Sequence, residues 1–252
     1  MADERYRLGY RIRYALRNRD RVVPYLKRAS RNLWLRLRYR DHTRFYREVV
    51  GRTAATDPDL AIGSASRDRW LALGQLQFDY LVDHGLEPHH RMLEIGCGNL
   101  RAGWRFIDHL EPGNYYGIDA SPDILLAAQR TLVAQGLQDK LPYLVPVDDL
   151  TFAFLPTARF DVVHAHSVFS HTPIEIIEEC FAHVGRVMAP DGFFDLTFNA
   201  TSGREHHVVR EDFYYRPETL IALAERHGFD AEVMEDWSPL HKHEKLRLRP
   251  RS

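Results

Sequence analysis

Cysteine, lysine and long apolar runs are scarce in this sequence of 252 residues. Its two cysteines, Cys97 and Cys180, are too few for a disulfide framework and indicate a reduced, cytoplasmic setting. No run of about 18 apolar residues occurs, so we expect no membrane-spanning helix. Residues 1–20 lack the apolar segment of a secretory signal. What is present, 44% apolar and 27% charged residues, is ordinary for a globular protein.

The small net charge of −1 conceals a division along the chain. Residues 1–52 hold 16 Lys and Arg against 5 Asp and Glu, a balance of +11. The remaining 200 residues hold 18 against 30, a balance of −12. This division indicates a basic segment appended to an acidic domain, or a segment with an anionic partner.

Apolar residues recur within the basic segment at spacings of three and four, namely Val22, Leu26, Ala29, Leu33 and Leu37. The pattern predicts a basic amphipathic helix over residues 22–50. One interpretation packs it on the rest of the chain or makes it a dimer contact. Another gives it peripheral contact with an anionic membrane surface. Nucleic acid is disfavoured, because no stacking platform or base-reading motif accompanies the charge.

The rest of the chain alternates between strand and helix patterns after a linker predicted over residues 57–66. A helical stripe ends near residue 85, and a further helix runs from Pro217 to Gly228. Strands are predicted at 91–95, 114–118, 142–147, 160–165, 192–198, 229–235 and 244–249, and helices near 101–110, 121–135 and 173–187. This order predicts an α/β fold with a doubly wound, mostly parallel sheet. We therefore expect a helical extension over 1–60 and one domain over 61–252.

The central motif is a buried strand that runs into a glycine-rich turn, at residues 92–101, which read MLEIGCGNLR. Gly96 and Gly98 permit a sharp turn and a close approach of a ligand to the backbone. A dinucleotide motif would place a third glycine at Arg101. Glu94, two residues before the turn, would repel a pyrophosphate and attract the ammonium of a methionine moiety. The charge therefore favours S-adenosylmethionine over NAD.

These residues resemble the class I methyltransferase family, whose first motif is E/D-x-G-x-G, over roughly residues 65–250. Leu100 stands where many members carry another glycine. The resemblance implies a Rossmann-like, seven-stranded sheet and S-adenosylmethionine as the cofactor. It implies a cofactor site that comprises Glu94, Gly96, Cys97, Gly98, Arg101, Asp119, Ala120, Asp148, Asp149 and Ser167. Because this site lies after residue 90, we expect residues 1–52 to be dispensable for cofactor binding.

Two strand ends supply the acidic members of this set. Asp119 ends the second predicted strand, 23 residues beyond Gly96, where a carboxylate accepts both ribose hydroxyls. The alternative for Asp119 is a helix N-cap, a role that Ser121 fills equally well. By the resemblance, either Asp148 or Asp149 accepts a hydrogen bond from the adenine amine. As a pair they are also a weak signal for a divalent metal.

The fourth strand leads into residues 160–173, FDVVHAHSVFSHTP, which resemble the SVFTH signature of the same family. Ligands in such folds lie beyond the carboxyl ends of the strands, so residues 166–172 are expected to face the reacting methyl group. Histidine titrates near neutrality and can accept the proton of an acceptor hydroxyl, so His171 is the predicted general base. The alternative is that His171 caps or packs the helix at Pro173. His166 is the second catalytic candidate, and His164 is expected to be buried.

The remaining histidines lie late in the chain, His206 and His207 in a predicted loop and His241 and His243 before the last strand. Zinc is disfavoured by their irregular spacing and the lack of cysteine partners. Solvated loop residues are the first interpretation, and contact with the acceptor the second.

The acceptor follows from resemblance and elimination. No Asn/Asp-Pro-Pro-Tyr tetrapeptide of N-methyltransferases and no nucleic-acid module occurs. Sequences that combine GCGxLRxG, SVFTH and a late Asp-Trp, here Asp236-Trp237, resemble bacterial enzymes of polysaccharide modification. The arginine bias favours an actinobacterial enzyme of this kind. This implies O-methylation of a small-molecule or oligosaccharide hydroxyl. A lipid or quinone-like acceptor at a membrane surface, and a non-catalytic nucleotide-binding module, remain the alternatives.

Overall fold

The computed structural model describes residues 19–39, 41–54, 56–64, 66–237 and 243–251. The chain divides into two compact units, residues 1–41 and 42–252. The second unit thus begins at His42, before the boundary near residue 60 that composition suggested. Among the described residues, no helix is both long and apolar enough to cross a bilayer.

The first unit contains one described helix, α1 (Arg19–Arg38). The predicted single helix over 22–50 is wrong, because a second helix, α2 (His42–Ala54), starts separately. The apolar spacing that predicted the helix ends at Leu37, and nothing in that spacing supported its continuation.

The second unit holds α2 and the remaining elements. Its other helices are α3 (Pro58–Ala61), α4 (Arg67–Asp83), α5 (Gly103–His109), α6 (Pro122–Ala134), α7 (Ile174–Val187) and α8 (Pro217–Arg226), with a 3₁₀ turn at Gln138–Lys140. The strands are β1 (Met92–Ile95), β2 (Tyr115–Asp119), β3 (Tyr143–Pro146), β4 (Phe160–Ala165), β5 (Met188–Ala200), β6 (His206–Val208), β7 (Asp212–Tyr215), β8 (Phe229–Val233) and β9 (Glu244–Pro250).

The strands form one sheet in the order β3-β2-β1-β4-β5-β7-β6, and β9 pairs with β5 and β8. The β3–β2–β1–β4–β5 pairs are parallel, and the pairs of β9 are antiparallel. The predicted doubly wound, mostly parallel α/β fold is therefore confirmed. The predicted count of seven strands omitted β6 and β7, which form an antiparallel pair at one edge. His206 and His207 lie in β6, so the predicted loop is a strand.

The predicted linker over 57–66 also contains structure. Asp57 accepts a hydrogen bond from the Leu60 amide at 2.9 Å and caps α3, whose first residue is Pro58. Ser66 caps α4 in the same way, at 3.2 Å from the Arg69 amide. Capping side chains satisfy amides that have no partner within the helix. The segment predicted as a linker thus contains the short helix α3 and the N-cap of the longer helix α4.

The two faces of the sheet differ in polarity. One face packs apolar residues such as Leu93, Val163 and Phe194 into the main core. The other carries a row of polar residues that face one another in register across four strands: Glu94, His164, Asp195 and Arg247. Asp195 is fully buried and pairs with Arg247 Nε at 2.6 Å and with Lys245 Nζ at 3.3 Å. The ion pairs satisfy these buried charges and fix β9 to the sheet.

Candidate active site

The glycine-rich turn follows β1 and has the backbone conformation that glycine permits. Gly96 and Gly98 have φ of +68° and +56°, a region in which a Cβ is strained. A Cβ on Gly96 would lie 2.4 Å from Val168 Cγ2. The amides of Gly96 and Cys97 donate to the Ile118 carbonyl at 2.8 and 3.0 Å, which ties the turn to β2.

Glu94 lies buried at the end of β1 and has a raised pKa. Burial is the largest cause and raises the pKa to about 8, against the opposing effects of the Tyr115 hydroxyl and Arg101. The Tyr115 hydroxyl donates to Glu94 Oε2. Burial disfavours the ionised form, and a cation bound beside Glu94 would favour ionisation of its carboxyl and lower its pKa. Cys97 is buried next to the turn as a free thiol, and burial raises its pKa.

Asp119 ends β2 and binds the turn directly. Its Oδ2 accepts from the Gly98 amide at 3.0 Å and its Oδ1 from the Ser121 amide at 2.8 Å. Burial raises the pKa of Asp119 to about 6, which the three backbone hydrogen bonds and Arg47 oppose. Ser121 caps α6, so Asp119 is not needed as a helix cap. Each Asp119 oxygen thus accepts from at least one backbone amide and has capacity for a further donor.

Helix α2 lies against the ends of β2 and β3. Arg47 donates to the Ala120 carbonyl at 2.7 Å, to the Val147 carbonyl at 3.3 Å and to Asp148 Oδ1 at 2.6 Å. Tyr46 is close enough to Asp119 for that carboxylate to raise its pKa, after burial as the main cause. Residues of the segment expected to be dispensable for cofactor binding therefore contact the strand ends at which the cofactor was predicted, and dispensability itself stays a prediction.

The segment between α2 and α4 covers the glycine-rich turn from another side. Asn99 donates to Asp59 Oδ1 at 2.6 Å and accepts from the Trp70 indole at 2.9 Å. Arg101 is buried and donates to the Ile62 carbonyl at 3.2 Å and to Ser64 Oγ at 3.4 Å. Arg101 therefore connects the predicted cofactor turn to the segment that was expected to be a linker.

The two carboxylates after β3 have different surroundings. Asp148 forms the ion pair with Arg47, whereas Asp149 Oδ1 accepts from the amide and hydroxyl of Thr151 at 3.0 and 2.7 Å. The Thr151 hydrogen bonds lower the pKa of Asp149. Among the described residues, neither belongs to a group of three or more possible metal ligands. Within the described part of the chain, one exposed group has ligand atoms within 4.8 Å of one another: Glu87, His89 and His90.

His171 lies in the turn after β4, half-buried against β7. Its Nδ1 lies 2.7 Å from the Glu211 carbonyl and 3.3 Å from Asp212 Oδ1. A proton on Nδ1 satisfies both acceptors and leaves the lone pair on Nε2. Pro173 is the N-cap of α7, which has no side-chain cap, so His171 does not cap this helix, and its packing against the helix stays an alternative. The His42 ring contacts the His171 carbonyl at 2.9 Å, and the Tyr46 ring lies 6.2 Å from the His171 ring.

His166 and His164 are both buried, as predicted for His164 alone. The His166 ring packs among those of His164, Trp237 and His243, at 6.3, 5.7 and 6.1 Å between centroids. Burial lowers the pKa of His164 to about 3 and that of His243 to about 4. These rings are neutral at neutral pH and make His166 part of a packed cluster. His241 lies outside the described residues.

Ser167 adopts a positive φ of 60°, and its amide donates to Thr197 Oγ1 at 2.8 Å. Its hydroxyl lies 3.4 Å from His243 Nδ1, so it faces the carboxyl end of β4 beside the late histidine. A strained backbone at a strand end is common at functional sites.

Sequence reasoning missed Arg47, Tyr46 and Asp212. Arg47 and Tyr46 precede every recognised motif, and Asp212 comes in a short strand that had been read as a loop. The only local pattern that pointed to Asp212 was its place beside a second acid, Glu211, shortly after the pair His206 and His207. The structure thus adds Arg47, which donates hydrogen bonds at the ends of β2 and β3, and Asp212, the carboxylate partner of His171.

Comparison with known proteins bears on what this site does. Residues 93–194 match the family described as a methyltransferase domain, a match that spans less than half of the chain. An uncharacterized protein of Haemophilus influenzae is 25% identical over 144 residues. That match covers 55% of this chain and 55% of the relative, so the chain spans about half the length of the curated relative it matches.

Solved structures share the fold at low identity. Magnesium protoporphyrin IX methyltransferase from Synechocystis PCC 6803 with bound S-adenosylmethionine has a TM-score of 0.64 and 18% identity over 84% of this chain and 98% of that chain. The CcbJ methyltransferase from Streptomyces caelestis has a TM-score of 0.62 and 14% identity, over 82% and 98%. The mitomycin 7-O-methyltransferase MmcR has a TM-score of 0.55 and 17% identity, over 80% and 60%.

The family match and the fold agree. The matched residues run from β1 through β5 and include the glycine-rich turn, Asp119 and His171. The likeness to the solved structures confirms the Rossmann-like α/β fold. Residues 93–194 are thus similar to a methyltransferase domain, and they lie within a fold that solved methyltransferase structures share.

Proposed function

We propose that this protein is an S-adenosylmethionine-dependent methyltransferase whose cofactor site lies at the carboxyl ends of β1, β2 and β3. The observation that carries the proposal is the Asp119 carboxylate, which is bonded to the glycine-rich turn at Gly98 within a domain that matches a methyltransferase family. The Glu94 carboxyl in its ionised form disfavours a pyrophosphate by charge and therefore disfavours a dinucleotide.

Each part of the cofactor has a fitting partner. The Asp119 oxygens accept the ribose hydroxyls in addition to their backbone amides. Glu94 attracts the methionine ammonium, because a cation relieves the cost of ionising its buried carboxyl. The adenine lies at the β3 end, beside Ala120 and the Arg47–Asp148 pair. Of the two candidate acids there, Asp148 is the one that faces α2.

S-adenosylmethionine supplies a methyl group on a positively charged sulfur. His171 takes the proton of an acceptor hydroxyl at Nε2, because Nδ1 is directed to the Glu211 carbonyl and the Asp212 carboxylate. The Asp212 carboxylate holds the ring in that tautomer and stabilises the imidazolium that results. His166, whose ring packs against those of His164 and Trp237, contributes to the wall of the site.

The acceptor class is proposed from a polar cleft of about 570 Å³ near the carboxyl end of β5. Hydroxyl and charged side chains line it, among them Thr201, Ser202, Arg216, Glu218 and Glu244. Hydroxyls and carboxylates are suited to a polyhydroxylated acceptor. This supports O-methylation of a sugar or glycan hydroxyl. The residues that line the cleft all lie after residue 194, so the family match over 93–194 does not cover it.

A lipid or quinone-like acceptor at a membrane surface is the second candidate, and an exposed apolar face on α1, described below, favours it. The fold does not distinguish between these acceptor classes, since solved structures that share it include a magnesium protoporphyrin IX methyltransferase and a mitomycin 7-O-methyltransferase. Transfer of labelled methyl from S-adenosylmethionine to sugar, lipid and quinone acceptors distinguishes these candidates. Cofactor binding without transfer to any acceptor would favour a non-catalytic binding module.

The His171 variants test the proposed base. His171→Ala should lower kcat by about 10²–10⁴, the usual contribution of a positioned base, with S-adenosylmethionine affinity nearly unchanged. His171→Asn should not restore the rate, since an amide keeps a hydrogen bond but takes no proton. The matched control is His183→Ala, an exposed histidine that bonds only within α7, and it should retain the parental kcat. Near-parental kcat in His171→Asn would show that His171 only orients the acceptor.

A further inference from the structure

The helix α1 carries apolar side chains that remain exposed. Among its described residues, five large apolar side chains are exposed: Val23 at 46%, Leu26 at 58%, Leu33 at 60%, Trp34 at 54% and Leu37 at 78%. At 3.6 residues per turn, these five positions fall within an arc of about 100° on the helix. The side of α1 opposite this arc holds Asn32 and Leu35, which are buried. The exposed apolar side chains of α1 therefore share one side of the helix.

Basic side chains border this apolar face. Lys27, Arg31 and Arg38 follow its edge on the helix, and the Arg38 guanidinium lies 5.7 Å from the centre of the Trp34 ring. The surrounding sequence has the same sign, with 16 Lys and Arg against 5 Asp and Glu over residues 1–52. An exposed apolar stripe with Trp and Leu, flanked by Lys and Arg, is the composition of helices that lie in a membrane interface.

We propose that α1 docks on the surface of a bilayer that contains anionic phospholipid, with Val23, Leu26, Leu33, Trp34 and Leu37 inserted among the headgroups. The basic border complements the negative surface charge of such a bilayer. A second copy of this helix would instead bring two sets of arginines together, which charge repulsion opposes. A nucleic acid would satisfy the arginines but leave five apolar side chains in water. The proposal is independent of the methyl-transfer chemistry.

Co-sedimentation of the full chain with vesicles tests the docking. Vesicles of phosphatidylcholine with phosphatidylglycerol should bind the protein, and vesicles of phosphatidylcholine alone should bind it weakly. Added salt should reduce the binding to the anionic vesicles, because it screens the basic side chains. Absence of binding to the anionic vesicles at low salt would overturn the proposal.

Matched substitutions locate the surface. Leu33→Asp should lower the partition onto anionic vesicles about tenfold or more, since burial of one leucine is worth at least that factor. Leu126→Asp makes the same change on α6 at a side chain of similar exposure, 56%, and should leave binding unchanged. Equal losses in both variants would overturn the assignment to α1. Lys27→Glu should weaken binding to anionic vesicles without affecting the residual binding to phosphatidylcholine.

Two further readouts distinguish insertion from self-association. Trp34 is well exposed whereas Trp70 and Trp237 are buried, so vesicle addition should shift the fluorescence emission to shorter wavelength. Trp34→Phe should remove the shift and preserve sedimentation with vesicles. The alternative result is a protein that does not bind vesicles and forms a dimer in analytical ultracentrifugation, which Leu33→Asp dissociates. This result would show that a second copy covers the apolar face of α1, and it would overturn the proposal.

Discussion

The raised pKa of Glu94 makes a quantitative prediction about cofactor binding. At a pKa of about 8, the carboxyl is ionised in about 3% of molecules at pH 6.5 and in about a quarter at pH 7.5. If a bound ammonium requires the ionised form, affinity for S-adenosylmethionine should rise about five- to sixfold over that interval, once partial deprotonation of the ligand's own amine is included. Asp119, with a pKa of about 6, is already mostly ionised there and adds little to the slope.

Isothermal titration at several pH values measures the effect. Titrations near pH 7 in buffers of different ionisation enthalpy should show close to one proton released per binding event, because most Glu94 is protonated before binding. The amino group of the ligand has an ordinary pKa of about 7.7–8.0, so affinity should fall again above that range. The predicted profile is therefore a rise followed by a decline.

Substitution separates the two limbs of this profile. Glu94→Gln removes the titrating group while its amide oxygen still accepts from Tyr115, so the rise and the proton release should disappear and the decline should remain. Glu111→Gln makes the same change at an exposed glutamate and should reproduce the parental profile. A flat affinity between pH 6.5 and 7.5 in the parent would refute the placement of the ammonium beside Glu94.

Three further predictions concern other contacts of the site and sheet. Arg47→Ala should weaken S-adenosylmethionine binding several-fold by loosening the ends of β2 and β3, whereas Arg130→Ala, an exposed arginine on α6, should not. Asp195→Ala leaves two buried cations without their carboxylate and should lower the free energy of unfolding by about 3–5 kcal/mol in urea titrations. Gly96→Ala should abolish cofactor binding or lower the melting temperature, and Val168→Ala should recover part of the loss by removing the atom that the new Cβ meets.

The parts of the site that sequence predicted are contiguous in the chain. The run from Glu94 to Gly98 is an apolar strand followed by glycines, and such a pattern specifies strand, turn and helix within about ten residues. Asp119 was predicted for the same reason, as the acid that ends the next strand. Local patterns therefore located the cofactor end of the sheet.

The parts that sequence missed depend on contacts between distant positions. Arg47 and Asp148 are 101 residues apart, and His171 and Glu211 are 40 apart. No periodicity or spacing encodes which of many arginines meets a given carboxylate. Tertiary packing selects these pairs, so they became visible only in the folded chain.

One missed element had a readable signal. Asp57 followed by Pro58 is the pattern of a helix start, with a capping carboxylate and a proline in the first turn. The glycine and serines of residues 57–66 favoured a linker instead, because the prediction followed the composition of this segment and not the capping pattern of Asp57 and Pro58. The consequence was functional, since this segment holds Asp59, which bonds the Asn99 side chain in the glycine-rich turn.

Titration of the parent protein with S-adenosylmethionine and with NAD⁺ tests the central claim most directly. The account predicts saturable binding of S-adenosylmethionine and none of NAD⁺. Asp119→Asn should weaken S-adenosylmethionine binding at least about tenfold through lost hydrogen bonds to a charged acceptor. Asp230→Asn, at an exposed carboxylate that pairs with Arg251, should bind like the parent. Binding of NAD⁺, or an Asp119→Asn variant that binds S-adenosylmethionine as tightly as the parent, would contradict the account.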